Sequence, residues 1–256
     1  MGGKSAIPDV PNKINLQQLE VPRVGNIWNQ EYQESNHQST IFEELDQNQG
    51  QIIFSSKIQN SGIYHFSIKD YCQIYINDKL MYVLDSAYSK RNNSVSENQT
   101  IDINIHNFQL NLTQDDLIEI LVDTYGHFNF GLELNNARKG ILISELKFKK
   151  KMIPVNFHFK ETLQQKRIGG LFKQKFELNE TGDMSVQFGG IKRAQIYVNS
   201  QMVGKIYNLK GQKCVYIPKS MLQKGQNVIE IVDIESDTQF ISITDCKVKP
   251  RGLRVR

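Results

Sequence analysis

Apolar side chains recur at every second position through most of the chain, in short runs separated by Gly, Asn or Asp. That is the period of a strand with one buried face. Ile118, Ile120 and Val122 alternate within DLIEILVDTYG, and GILISELKFK repeats the pattern. In TIDINIHNFQLNL, Ile101, Ile103 and Ile105 keep one phase, and Phe108, Leu110 and Leu112 keep the other. The change of phase predicts a bulge or bend after His106. QIIFSSKI and GIYHFSI are further strand-like runs rich in Ile, Phe and Tyr. No convincing helical period appears.

The same alternation resumes near Met152 with IPVNFHFK, GGLFKQKFEL, DMSVQFGG, KCVYIPKSML and NVIEIVDIE. Two segments read as hairpins of one design. CQIYINDKLMYVLD and AQIYVNSQMVGKIY each run Q-I-Y-[IV]-N into a polar turn and an apolar return. They lie about 120 residues apart, which predicts two copies of one β fold. The expected organisation is all-β: an extended arm over residues 1–38, a sandwich over 39–151, a second over 152–246 and a basic tail over 247–256. The arm is polar and proline-spaced, with apolar anchors such as Ile27 and Trp28. That spacing suits a chain draped over a partner, while Trp28 reads equally as an aromatic plug beneath the arm.

Composition narrows the setting. The net charge is +4, with Lys147, Lys149, Lys150 and Lys151 in one cluster and KVKPRGLRVR at the end. The first cluster reads as a solvated strand edge. In the tail, Lys249, Arg251, Arg254 and Arg256 suit an acidic protein face or an anionic membrane surface. Nucleic acid is not expected as a partner. Three cysteines, far apart and odd in number, show neither a disulfide framework nor metal-ligand spacing, and the five histidines are scattered. No metal or cofactor is expected. MGGKSAIPDV has no apolar core, and no run approaches the length of a membrane span. Gly2 invites myristoylation, but Ala6 stands where that motif wants Ser or Thr. N-x-S/T triplets at Asn92, Asn98, Asn111 and Asn179 read as chance in an Asn-rich chain. The expected compartment is intracellular and reducing, mitochondrial first, with cytosolic or ciliary settings as alternatives.

Several stretches carry a resemblance. IFEELDQNQGQIIFSSKI, IKDYCQIYINDKLMYVLD and LIEILVDTYGHFNFGLELNNARKGIL follow one another as in the C-terminal half of family 35 glycoside hydrolases, the β-galactosidases. The later segment GGIKRAQIYVNSQMVGKIYNLKGQKCVYIPKSMLQKGQNVIEI is similar to that family's closing domain, where Gly211-Gln212, Tyr216 and Pro218 match its pattern. The resemblance runs from about residue 39 to 240 and implies two galactose-binding-like jelly-roll β-sandwiches. It implies no catalytic residue. The family's paired glutamates sit in a TIM barrel that precedes these domains, and the chain has no room for one. Retaining glycosidases need two carboxylates roughly 5–5.5 Å apart. Glu43 and Glu44 are adjacent and expected to point apart, and Glu133, Glu145 and Glu161 have no visible partner.

The stretch from Ile120 to Leu142 supports two readings. In one it is a vestigial sugar site, with Tyr125 stacking on a sugar and Asp123, His127 and Asn129 bonding hydroxyls. In the other it is scaffolding: Gly126 and Gly131 make turns, and Arg138 caps a loop or binds a carboxylate. In the resembling family an arginine stands in place of His127, and a Glu-Asn pair in place of Asp123-Thr124. The expected function is a non-catalytic accessory subunit of a large assembly, contacting other protein subunits through the arm and tail. A carbohydrate-binding, lectin-like module is the alternative, with sugar bound weakly or not at all.

Overall fold

A computed structural model describes residues 13–16, 18–29, 34–35, 39–47, 50–85, 105–126, 138–153, 167–207, 212, 214–235 and 237–246. Among them the chain is all-β, with seventeen strands and no α-helix. It divides into two compact units. One is split in sequence, Met1–Gln30 with Val155–Arg256, and the other is continuous, Glu31–Pro154.

The split unit contains β1 (Leu19–Gly25), and the continuous unit follows with β2 (Glu34–Ser35), β3 (Gln51–Lys57), β4 (Gly62–Lys69), β5 (Tyr71–Ile76), β6 (Lys79–Asp85), β7 (Ile105–Leu112), β8 (Leu117–Asp123), β9 (Ile141–Ser144) and β10 (Lys149–Ile153). In the continuous unit a six-stranded sheet, β2-β10-β3-β8-β5-β6, accompanies a three-stranded sheet, β7-β4-β9. The period-2 pattern supplies one apolar face from each. Ile52, Phe54, Ile74, Ile118, Ile120 and Val122 from the larger sheet form one core with Phe66, Ile68, Leu110, Leu112 and Ile141 from the smaller. Each such buried side chain contributes roughly 1.5–3 kcal/mol. The β7–β4 register is continuous, so the bulge expected after His106 is absent there. His106 instead keeps its place in the ladder with Nε2 2.9 Å from Asp70 O, and the register shift falls between Ser67 and Ile68, where β4 meets β9.

The split unit adds β11 (Gly170–Leu178), β12 (Met184–Gly189), β13 (Arg193–Val198), β14 (Gln201–Tyr207), β15 (Cys214–Ile217), β16 (Gly225–Asp233) and β17 (Phe240–Asp245). Its strands order as β14-β13-β16-β11-β1-β17-β12-β15. β1 is the join. Leu19–Pro22 pair with β17, while Arg23 and Gly25 pair with β11, with a register shift between those two residues. A strand that changes partners at a bulge turns a corner between two sheets. Val21, Phe172, Val186, Ile196, Ile231 and Ile243 lie in the enclosed core.

This corrects two expectations. Leu19–Gly25, within the segment expected to drape over a partner, is a central strand of the split unit. Ile27 is fully buried and Trp28 nearly so, which removes both as surface anchors. Arg23 Nη2 donates to Gly169 O at 2.6 Å, Asn26 Nδ2 to Arg167 O at 2.8 Å, and Trp28 Nε1 to Ile168 O at 3.0 Å. The Arg167 guanidinium lies 4.8 Å from the centre of the Trp28 ring. Polar residues misled the reading because they bond to the 167–169 backbone rather than to solvent. The second correction is a disulfide, Cys214–Cys246, with Cα atoms 5.8 Å apart. Their separation of 32 residues hides that β15 and β17 both pair with β12. Cys72 remains a buried free thiol.

Candidate functional site

Asp123 ends β8, directly opposite Gln51 of β3 and Tyr71 of β5, and is only 1% exposed. Tyr125 donates its N–H to Asp70 Oδ2 at 3.1 Å and its hydroxyl to Asp85 Oδ1. Asp70 takes a positive φ of 73° and is itself buried. These groups tie strand ends together, with Asp123 buried and Tyr125 half-buried. Gly126 takes the positive φ, 99°, that the scaffolding reading requires. Arg138 Nη1 binds Glu44 Oε1 at 3.0 Å, while Glu43 Oε2 accepts the Lys139 N–H at 3.0 Å, so the adjacent glutamates have separate partners. His127 and Asn129, like Lys249, Arg251, Arg254 and Arg256, lie outside the described residues.

A site that sequence reasoning missed lies in the split unit. Asp183 precedes β12, Tyr216 sits in β15, and Lys219 begins a single 3-10 turn, Lys219–Met221. Pro218 stops β15, and its fixed φ of −70° leads into that turn. The three residues border an open hollow of about 550 Å³, completed by Thr181, Ser220 and Leu222. Tyr216 alternates outward from a strand whose Val215 and Ile217 are buried, and 57% of it is exposed. Asp183 Oδ1 accepts the Lys219 N–H at 2.9 Å, and the carboxylate also accepts a hydrogen bond from the Tyr216 hydroxyl. That hydroxyl bond first, then the backbone N–H, holds the Asp183 carboxyl below its ordinary value. The same bond to Asp183 pushes the Tyr216 phenol up.

Chemically this is an exposed ring beside a fixed carboxylate, an ammonium group and two hydroxyls. A ring face stacks on the apolar face of a pyranose, while the polar groups meet its hydroxyls. Asp183 is the one carboxylate among the described residues lining the hollow. Among the described residues no group of three or more His, Cys, Asp or Glu side chains is arranged to hold a metal ion. The signal in sequence was Tyr216-Ile217-Pro218, noted only as a match to a family pattern.

Comparison with known proteins bears on this segment directly. Residues 170–227 match the family model for the galactose-binding domain of β-galactosidase, and the whole hollow falls inside that match. The chain resembles the galactose-binding-like region of family 35 β-galactosidases. Over 261 aligned positions it is 24% identical to β-galactosidase 1 of Dictyostelium discoideum, covering 88% of this chain and 38% of that protein. It is 20% identical to human β-galactosidase-1-like protein 2 over 202 positions, covering 72% of this chain and 29% of that protein. The chain thus spans well under half the length of either relative. Among solved structures, a GH2 β-galacturonidase from Eisenbergiella tayi aligns over 91% of this chain and 43% of that chain, at 8% identity and a TM-score of 0.27. That score is too low to bear on the fold.

Proposed function

We propose that the chain is a non-catalytic carbohydrate-binding accessory region of β-galactosidase type, formed by two galactose-binding-like jelly rolls, with a galactoside held against Tyr216. The observation that carries this reading is the position of the Tyr216–Asp183–Lys219 hollow inside the segment that matches a galactose-binding domain. Retaining hydrolysis needs two carboxylates roughly 5–5.5 Å apart, and the hollow offers one. The Cys214–Cys246 bridge supports an oxidising compartment in place of the reducing one read from cysteine spacing. In that setting the N-x-T triplets at Asn111 and Asn179, both exposed, become glycan acceptors rather than chance matches.

Calorimetric titration with methyl β-galactoside tests the reading. Saturable binding is expected, lost in Tyr216→Ala and kept in Asp123→Asn. Absence of saturation in the wild-type chain would remove the galactoside reading. Turnover of an aryl β-galactoside by the pure chain, abolished by one Glu→Gln change, would remove the non-catalytic one.

A second reading, an accessory subunit of a larger assembly, rests on β6. It is an edge strand, and Met81, Tyr82 and Val83 are 41%, 45% and 49% exposed. An exposed apolar strand at the sheet edge among the described residues suits a strand from another protein. Under this reading Tyr82→Lys releases the partner in co-sedimentation and leaves galactoside binding unchanged.

A further inference from the structure

The basic run at Lys147, Lys149, Lys150 and Lys151 is not one solvated edge, because the structure divides it. Lys150 turns inward. It is buried, its Nζ donates to Phe148 O at 3.4 Å, and burial pushes its pKa down. Lys147 and Lys149 stay exposed and line an open cleft of about 670 Å³ in the continuous unit. Lys57, the last residue of β3, lines the same cleft, together with Ser55, Asn60 and Glu145. Lys57 pairs with Asp115 at 2.9 Å, and both side chains are well exposed. Among the described residues Lys147 and Lys149 have no ion-pair partner.

We propose that this cleft binds an acidic oligosaccharide, whose sulfate or carboxylate groups are held by Lys147 and Lys149 and whose hydroxyls meet Ser55 and Asn60. Three ammonium groups face two carboxylates, Glu145 and the rim residue Asp115, so the cleft keeps a positive balance. A concave surface of one sign concentrates counter-charged ligands. The neutral hydroxyl and amide groups between the lysines are what a sugar backbone requires and what a bare anion does not. Single-stranded nucleic acid fits less well, since grooves for it offer aromatic faces on which bases stack. Tyr64, the aromatic residue of the cleft, packs its ring on the core and donates its hydroxyl to Asn60 O at 2.6 Å. The proposal stands apart from the Tyr216 hollow, which belongs to the split unit.

The test titrates the full chain with a dextran sulfate oligosaccharide, uncharged dextran of the same length and single-stranded DNA. The sulfated probe should bind saturably, the uncharged one not at all, and DNA more weakly. Affinity should fall at least about tenfold in the double variant Lys147→Glu, Lys149→Glu, since like charges then face the ligand. It should rise several-fold in Glu145→Gln and fall as salt screens the exposed charges. A triple variant, Arg251→Ala, Arg254→Ala, Arg256→Ala, should leave it within about twofold, because Lys147 and Lys149 supply the charges that hold the ligand. Unchanged thermal melting confirms that each variant folds. The proposal is overturned if the sulfated probe does not bind, or if the folded double lysine variant keeps its affinity. It also fails if the loss follows the tail variant, or if DNA binds as tightly as the sulfated sugar.

Discussion

The two units carry the same device at the same place. Asn77 in the β5–β6 turn and Asn199 in the β13–β14 turn both adopt φ 49°, followed by Asp78 at 66° and Ser200 at 65°. Positive φ at both turn positions matches the twist of the flanking strands. Each Asn donates its N–H to a carbonyl of the next central strand, Leu117 O or Val228 O, at 2.9 Å, and its Oδ1 accepts that residue's N–H at 2.9 Å. Each hairpin also breaks register between the Ile and Tyr of its Q-I-Y motif. Strand order repeats as well, β6-β5-β8-β3 in one unit and β14-β13-β16-β11 in the other. The differences lie at the margins. Gln212 covers the edge of β14, donating to Lys205 O at 3.0 Å and accepting the Tyr207 N–H at 3.3 Å, whereas β6 shows Met81, Tyr82 and Val83 to solvent. Where β8 has Val122, the matching position in β16 is Asp233. The split unit is bridged by Cys214–Cys246, while the continuous unit has only Cys72, a buried thiol pushed up to about 12 by burial. Hairpin and central strands preserve a scaffold, and edges and strand ends are where the two copies differ.

The harshest way to break the comparison is to delete residues 1–30. The continuous unit owns all its strands, but the split unit would lose β1, which sits between β11 and β17 with Val21 fully buried. Removing a central strand exposes backbone groups on both neighbours. Hydrogen exchange of the deleted chain should show β11–β17 unprotected and β3–β8 still protected. Protection of both would mean that β1 is an ornament.

Much of this was legible in advance. Alternation located most strands, and the Q-I-Y-x-N repeat exposed the duplication, because a hairpin is a local structure written in consecutive residues. What stayed hidden was non-local. Nothing in the spacing of Leu19, Val21 and Trp28 says that they belong with residues 167–178 and 240–243. Two cysteines 32 residues apart give no sign that their strands share β12. The burial of Asp123 stayed hidden for a similar reason: alternation places Asp123 on the face opposite Val122 but does not say that this face is buried too. Tyr216 was missed because one outward aromatic in a strand is an ordinary sight without the turn that brings Asp183 and Lys219 beside it.

The disulfide should separate the units next. Closing a loop of 32 residues restricts the unfolded chain by about 3–4 kcal/mol in the chain-entropy account. Reduction, or the pair Cys214→Ser and Cys246→Ser, should lower the melting transition of the split unit and leave the other in place. Equal shifts in both would contradict their independence.

Asp233 offers a pH handle that Val122 cannot. Burial raises its carboxyl to about 6, although the N–H groups of Glu235, Lys192 and Arg193 partly oppose the shift. A carboxyl with a raised folded-state pKa holds its proton more readily when folded. The split unit should therefore lose stability as pH rises from about 4 to about 6, by up to ~3 kcal/mol. Asp233→Val, which copies the other unit, leaves those N–H groups without that acceptor and lowers stability, but should flatten this slope. A slope unchanged in the variant would assign the titration elsewhere.

The smallest effect tests the shared turn itself. Asn77→Ala and Asn199→Ala remove the same Oδ1 acceptor, but their second bonds differ in setting. Asn77 Nδ2 donates to Asp116 Oδ1 at 2.7 Å in an exposed loop, where Thr113 already holds Asp116 Oδ2, so water reaches Oδ1 and replaces much of what is lost. Asn199 Nδ2 donates to Met221 O and to Asn227 Oδ1, both at 2.9 Å, and Asn227 is fully buried. Asn227 Oδ1 keeps the Gln223 N–H at 3.0 Å, but the bond it loses is buried, and a buried bond that water does not replace costs roughly 1–3 kcal/mol, while an exposed bond is worth nearer 0.5–1.5 kcal/mol. Both variants also place Ala at positive φ, a strain common to the two that cancels in the comparison. Asn199→Ala should therefore destabilise its unit by about 1 kcal/mol more than Asn77→Ala destabilises the other, as read by urea midpoints at unchanged slope. Equal losses would mean that the turn geometry alone sets the cost and that burial of Asn227 adds nothing.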